Sequence, residues 1–375
     1  MCDLYHDPPA HPVRRRIHVA AEQVVEALRK QSSQSDLVRV ELAPVKSWLS
    51  SGSTLLDLAL AGKFPGGFPA GRFSHVYGHE STGKTILVSE PLGAAQRQGG
   101  IAFFVDAEHS FDFSRAPLFG LDCGNDLLWR LWHPKTLEEL FDESVQNAVE
   151  LCLTDEMLGK THAMAVDSLS SLPSGAEVDA KLDEPSYGTV KARRLSTAFR
   201  VWSSRIYDAN LAVIFVDQVR AQIGQRTYGP PGYDASCGQA LKFYTATRVL
   251  LKPGKIIKNA HGVAIGLWVD FDVTKNKVAS PRRRGAIRLL YDYGIDDLGS
   301  NLQFLKEPEA ICGEKKDRGA KAQARFYEVG GRKFRSLSEA THFVESESLE
   351  KSVQQLVVTK WLEMHAVEPR KVKVR

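Results

Sequence analysis

Gly78-His79-Glu80-Ser81-Thr82-Gly83-Lys84-Thr85 satisfies the pattern G-x-x-x-x-G-K-[ST], the phosphate-binding loop called Walker A. Its glycines let the backbone fold around a triphosphate, and successive amide groups with the N-terminus of a following helix offer partial positive charge. Lys84 is placed to reach the outer phosphates, and the Thr85 hydroxyl to hold Mg²⁺. The flanks supply the context such a loop needs: Arg72–Tyr77 reads as a strand entering it, and Thr85–Gln98 as the helix leaving it. A chance glycine turn would lack both. Pro91 and Gly93 predict that this helix is kinked or shortened.

Outward from the loop, the chain from Ser51 alternates strand and helix. Ile101–Val105 runs into Asp106-Ala107-Glu108-His109, Ala163–Val166 into Asp167, and Leu211–Val216 into Asp217-Gln218. With the strand before the loop these are four buried strands separated by helical segments, which predicts an α/β fold on a mostly parallel central sheet. Ligands in such sheets sit at the carboxyl ends of the strands, and all four runs end there in polar residues. Asp167 fits a Walker B carboxylate that positions Mg²⁺ opposite Thr85, although an aspartate ending a strand is as often a helix cap. Glu108, on a strand expected beside that of the loop, is placed to orient and deprotonate an attacking water. Gln218 is placed to hydrogen-bond a γ-phosphate.

A chain of 375 residues with 43% hydrophobic content is long enough for one large α/β domain with smaller appendages. A formal net charge of +4 allows a polyanionic partner without demanding one. Cys2, Cys123, Cys152, Cys237 and Cys312 are widely spread and lack metal-ligand spacing, so they read as reduced thiols. No apolar run approaches the length of a membrane helix, and the first residues lack the apolar stretch of a signal peptide. A soluble, cytoplasmic protein with no membrane partner is expected.

Three stretches of the chain follow from this. In residues 1–36, Arg14-Arg15-Arg16 leads into Ala21, Val24, Val25 and Leu28 at helical spacing, an amphipathic helix before a Ser/Gln linker. Its apolar stripe meets either a neighbouring subunit or its own domain. Residues 37–299 hold the ATPase-like core and two loops. The loop at Asp183–Gly188, with Tyr187, precedes a helix bearing Lys191, Arg193, Arg194, Arg200 and Arg205; the one at Ala221–Gln239 is rich in glycine and proline and carries Arg226, Tyr228 and Tyr233. Basic and aromatic residues on a long loop suit contact with nucleic acid, and the helix is equally a solvated basic face. Leu241–Leu251, Val263–Val273 and Gly285–Tyr293 read as antiparallel additions to the sheet edge. Lys275 and Lys277 point the same way at strand spacing and can converge on one phosphate, or merely decorate a turn. Residues 300–375 read as a small α/β module: a hairpin over Arg325–Leu337 with a Gly330-Gly331 turn, a helix over Ser338–Glu345, and a helix over Leu349–His365 with the stripe Leu349, Val353, Leu356, Trp361 and Leu362.

Together these residues resemble the RecA family of DNA strand-exchange ATPases, most closely the bacterial type. The likeness is carried by Ser51-Gly52-Ser53, the loop at Gly78–Thr85, Val105-Asp106-Ala107-Glu108-His109, Ala240-Leu241-Lys242-Phe243-Tyr244 and Lys275-Asn276-Lys277. The resemblance implies a P-loop RecA-type ATPase core with an N-terminal helix and a small α/β C-terminal domain, using ATP and Mg²⁺. Glu108 is then the catalytic glutamate, Gln218 the γ-phosphate switch and Phe243 a relay between subunits. Lys275 and Lys277 reach the nucleotide of the adjacent subunit. Asp112 and Arg115 join the nucleotide-binding set, and Arg193, Ser196 and Arg200 contact phosphates beside the first DNA loop. In the second, Ile223 wedges between bases while Arg220, Gly238 and Gln239 line the backbone. The implied activity is a helical homopolymer on single-stranded DNA that pairs it with homologous duplex and hydrolyses ATP to reset. Cleavage of a LexA-like repressor is a further family activity.

The chain departs from the family at several points. Arg115 falls near a tyrosine that stacks on adenine, Asp217 replaces an asparagine and is expected to bring negative charge near the phosphates, and Cys237 replaces a loop glycine. The first loop is one residue longer. Arg370, Lys371, Lys373 and Arg375 are basic where bacterial members carry an acidic tail, so removing residues after Glu368 is expected not to increase DNA binding. The alternatives are an accessory filament protein that binds ATP as a switch with little hydrolysis, favoured by Asp217 and Arg115, and another RecA-fold motor or small-substrate ATPase, which the lysine pair and both loops oppose.

Overall fold

A computed structural model describes residues 44–179, 188–221, 233–235, 238–312 and 326–366. The N-terminal amphipathic helix, the basic tail, Tyr187, Ile223, Arg226 and Tyr228 lie outside the described residues. Strands β1 (Trp48–Leu49) and β2 (Phe68–Pro69) pair antiparallel on either side of helix α1 (Thr54–Ala61) in the chain. Strand β3 (Phe73–Gly78) enters the glycine loop and helix α2 (Lys84–Arg97) leaves it. Then come β4 (Ala102–Asp106), β5 (Trp129–Trp132), β6 (His162–Asp167), helix α3 (Gly188–Asp208), β7 (Leu211–Ala221), β8 (Tyr233–Ala235) and helix α4 (Gly238–Tyr244). Strands β9 (Thr247–Lys258), β10 (Ala264–Asn276), β11 (Arg284–Leu290) and β12 (Gly294–Asp296) complete the sheet.

The strand order is β12-β11-β10-β9-β3-β7-β6-β4-β5, with β8 paired to the end of β7. From β9 through β5 all neighbours are parallel, whereas β10, β11 and β12 add antiparallel at one edge. Burial on both faces explains the unbroken apolar runs, since helices cover each side of the parallel part. One core cluster joins Val76, Leu87, Val88, Ala165, Ile214 and Leu251, while another joins Phe73, Val105, Phe141, Val166, Phe199 and Phe215. Successive residues of one strand thus serve opposite cores.

Four expectations change. A parallel strand outside the four expected, β5, forms the edge, where Trp129-Arg130-Leu131-Trp132 gives too short a run to stand out. The stretch from Leu241 begins as helix α4, and its strand, which starts only at Thr247, pairs parallel with β3 inside the sheet rather than antiparallel at its edge. Strand β4 is not beside β3, because β7 and β6 insert between them. Pro91 does not shorten α2, which runs through it to Arg97. Gly93 is where the chain after β4 packs closely, since a Cβ there would meet the Phe119 carbonyl oxygen at 2.5 Å.

Beyond the sheet lie helix α5 (Asp297–Lys306), the hairpin β13 (Tyr327–Val329) and β14 (Arg332–Phe334), helix α6 (Leu337–Ser346) and helix α7 (Glu350–Met364). Gly330 and Gly331 turn the hairpin with positive φ at both positions, as a two-residue turn between twisted strands requires. In α7 the buried face is Val353, Val357, Val358 and Trp361, so Leu356 and Leu362 of the expected stripe are exposed instead. A four-residue spacing keeps Val353, Val357 and Trp361 on one side, with Trp361 against Phe304 of α5. Val353 joins a small cluster with Tyr327, Val329 and Val344, whereas Val357 and Trp361 join the core beneath the sheet. No helix among the described residues is long and apolar enough to cross a membrane.

Candidate nucleotide site

The carboxyl ends of β3, β4, β6 and β7 open onto one cleft of about 310 Å³, lined by Glu80, Ser81, Gly83, Lys84, Thr85, Ile86, Glu108, Asp167, Ser168, Val216 and Gln218. Glu80, Ser81, Gly83, Lys84 and Thr85 of the loop therefore meet in space with Glu108, Asp167 and Gln218, the three candidates singled out beyond it. Gly78 ends β3 where the backbone of β9 passes so close that a Cβ would meet the Leu251 carbonyl oxygen at 2.4 Å. The loop then closes on itself: the Thr82 hydroxyl and the Lys84 amine both donate to the His79 carbonyl, at 2.8 and 2.7 Å. Burial pushes the Lys84 pKa down, so this amine is short of solvation and its own chain supplies an oxygen in compensation.

Thr85 at the start of α2 donates its hydroxyl to Asp167 at 2.6 Å. Burial raises the Asp167 carboxyl to about 6, against the lowering effect of the Thr85 hydrogen bond. A hydroxyl and a poorly solvated carboxylate facing each other are a donor set that fits Mg²⁺, with Lys84 beside them for phosphate. Glu108 lies two residues beyond β4 and accepts a hydrogen bond from the Ser168 hydroxyl. It reaches the cleft from the third strand away from β3, because it sits past the strand end. Gln218 lies in the same cleft, exposed, at the level of Gly78 in the neighbouring strand.

Asp217 is turned the other way. Its side chain is fully buried, 3.0 Å from His75 Nε2 and accepting the Ser170 amide at 2.9 Å. Strand alternation explains this direction: Val216 and Gln218 line the cleft, so the residue between them faces the opposite side of the sheet, although its charge still acts on Lys84. Two other nucleotide candidates do not line the cleft. Asp112 caps a short 3-10 helix, Phe113–Phe119, by accepting from the Ser114 amide and hydroxyl, which hold its carboxyl below the usual range. Arg115 donates to the carbonyl of Tyr291.

The lysine pair sits elsewhere on the sheet. Lys275 and Lys277 converge on a single acceptor, the Phe243 carbonyl, at 2.8 and 3.1 Å, and Lys275 also reaches the Lys242 carbonyl. Burial, then the charges of Lys277 and Arg248, bring Lys275 down to about 8. Phe243 at the end of α4 is 69% exposed, with Lys277 over its ring. Of the DNA candidates, Arg193 and Arg200 are exposed on α3 with Ser196 between them, whose hydroxyl returns to the Ala192 carbonyl. Lys191 on the same helix is committed to the carbonyls of Ser170 and Leu172. Gly238 and Gln239 open α4, Arg220 lies in β7, and part of the second loop pairs as β8 with Val219–Ala221.

The sequence matches the family described as RecA N-terminal domain over residues 17–296. The chain belongs to the RecA family. Among curated relatives it is similar to Protein RecA of Nautilia profundicola, 32% identical over 288 residues that cover 76% of this chain and 77% of that protein. Protein RecA of Wolinella succinogenes is 33% identical over 293 residues, 78% of each chain. Protein RecA of Francisella tularensis subsp. novicida is 33% identical over 300 residues, 78% of this chain and 79% of that one. Sequence reasoning missed Ser168, Ser170, His75 and Arg248 in this RecA-family chain. A lone histidine in a buried strand and a serine-rich turn carry no spacing signal of their own.

Proposed function

We propose that the chain is an ATP-dependent recombinase that polymerises on single-stranded DNA, pairs it with homologous duplex, and hydrolyses ATP in a DNA-stimulated manner. The observation that carries this reading is the meeting of Lys84, Thr85, Asp167, Glu108 and Gln218 in one cleft, together with membership of the RecA family. Mg²⁺, when bound, would neutralise phosphate charge between the Thr85 hydroxyl and the Asp167 carboxylate. Lys84 leaves the His79 carbonyl for the outer phosphates. Glu108, held through one carboxylate oxygen by Ser168, accepts the proton of the attacking water. Gln218 donates to the γ-phosphate and transmits its presence along β7 towards β8 and the second loop.

Exposed Phe243 and the two lysines beside it present a ready surface to a neighbouring copy, with Lys275 and Lys277 available to that copy's nucleotide. Arg193 and Arg200 on α3 supply phosphate contacts to DNA, which makes binding steeply salt-dependent. Retention of Glu108 favours turnover over the accessory-filament reading, while Asp217, hydrogen-bonded to His75 and the Ser170 amide, still acts on Lys84 through its charge. The deciding assay is strand exchange between circular single-stranded DNA and a homologous linear duplex. Joint molecules that require ATP and homology are expected. DNA binding without any joint molecules would contradict the recombinase reading.

A further inference from the structure

We propose that His75 and Asp217 form a positioning element for Glu108, an inference that rests on the ATPase reading above. A connected series of hydrogen bonds crosses the sheet from β9 to the cleft. Arg248 Nε donates to His75 Nδ1 at 3.2 Å. An arginine only donates, so Nδ1 is the bare nitrogen and Nε2 carries the proton given to Asp217 at 3.0 Å. Asp217 takes the Ser170 amide on its other oxygen. The hydroxyls of Ser170 and Ser168 lie 3.2 Å apart, and Ser168 has its proton on Glu108, so Ser170 is the donor between them.

Every joint therefore has a fixed direction. His75 and Asp217 are fully buried and Arg248 nearly so, which makes any mismatch costly because water cannot repair it. A guanidinium, an imidazole and a carboxylate thus stand in series across β9, β3 and β7. The result is that a residue of the loop-entering strand β3 and one beside the switch glutamine together hold the turn after β6 in place. That turn holds one oxygen of Glu108, which orients the other.

The direction of the bonds supplies the test. In Asp217→Asn the amide oxygen can keep Ser170, but the amide NH₂ then faces the Nε2 proton of His75. The imidazole can accept there only by moving its proton to Nδ1, where Arg248 already donates. A glutamate at position 75 accepts from both sides, so His75→Glu with Asp217→Asn restores a consistent series. In steady-state ATP hydrolysis with single-stranded DNA, Asp217→Asn is expected to lower kcat about tenfold or more and leave the KM for ATP within about twofold. The double variant is expected to recover to within about threefold of the parent. Unchanged kcat in the single variant, or a double variant no better than the single, overturns the proposal. Nitrogen-15 NMR of the His75 ring, assigned against His75→Gln, gives a readout independent of turnover. Protonated Nε2 with bare Nδ1 at neutral pH is expected, and the opposite tautomer overturns the proposal even in a preparation that hydrolyses no ATP, an outcome that would count separately against the ATPase reading.

Discussion

The cleft around Lys84 and the lysine pair at the end of β10 grow from one sheet but differ in what a single chain supplies. In the cleft a cation, a hydroxyl, three carboxylates and an amide side chain already converge, and Lys84, Thr85 and Glu108 each find a hydrogen-bond partner within the chain. At the other place two like charges converge on one backbone carbonyl, next to an aromatic ring left in solvent. Burial, then repulsion from Lys277 and Arg248, lowers the proton affinity of Lys275, and the charge of an anion placed there would offset that lowering. The contrast teaches that folding alone gathers the groups of the first site, whereas the lysine pair, on the proposed reading, meets its ligand only when a neighbouring copy brings one.

Breaking the first site gives the largest expected effect. Glu108→Gln should cut kcat about a thousandfold while ATP binding persists, measured by hydrolysis and by equilibrium nucleotide binding. Unchanged hydrolysis would remove Glu108 as the base. Breaking the second should cost less: Lys275→Ala with Lys277→Ala is expected to lower DNA-stimulated hydrolysis about 10- to 100-fold, because charge clamps on a transferring phosphoryl group act in the transition state. Nucleotide binding to unassembled subunits should not change, and a loss there would place the lysines in their own subunit's site instead.

A third variant separates stability from chemistry. Glu90 on α2 packs against Gly52, and burial raises its carboxyl to about 7, with Asp57, itself raised to about 7, and Asp297 adding in the same direction. A folded-state pKa above the unfolded value means that the folded chain binds more protons between about pH 4.5 and 7, so this group costs stability progressively as pH rises through that window. Glu90→Gln should therefore raise Tm by about 2–4 °C per kcal/mol relieved at pH 8 and by much less at pH 5. Equal shifts at both pH values would show that the carboxyl is already ionised when folded.

How legible these features were depends on how local their signals are. The loop, Asp167 and Glu108 could be read because each sits at the end of an apolar run, and strand ends in a parallel sheet share one edge. The lysine pair was legible as a pair through strand alternation, which brings both amines to the Phe243 carbonyl. Strand order was not legible: nothing local says that β6 and β7 insert between β3 and β4. Nor was the direction of Asp217, since a fully buried strand has no polar face to set the register against. The buried stripe of α7 was misread at Leu356 and Leu362 because periodicity names a face only when the helix has one partner, and α7 has both the small cluster and the main core.

The most direct test of the central claim is steady-state ATP hydrolysis by the unaltered chain, with and without single-stranded DNA, across a salt titration. Strong stimulation by DNA that fades steeply as salt rises is expected, because phosphate contacts dominate such binding. Turnover that ignores DNA at every salt concentration would contradict the account.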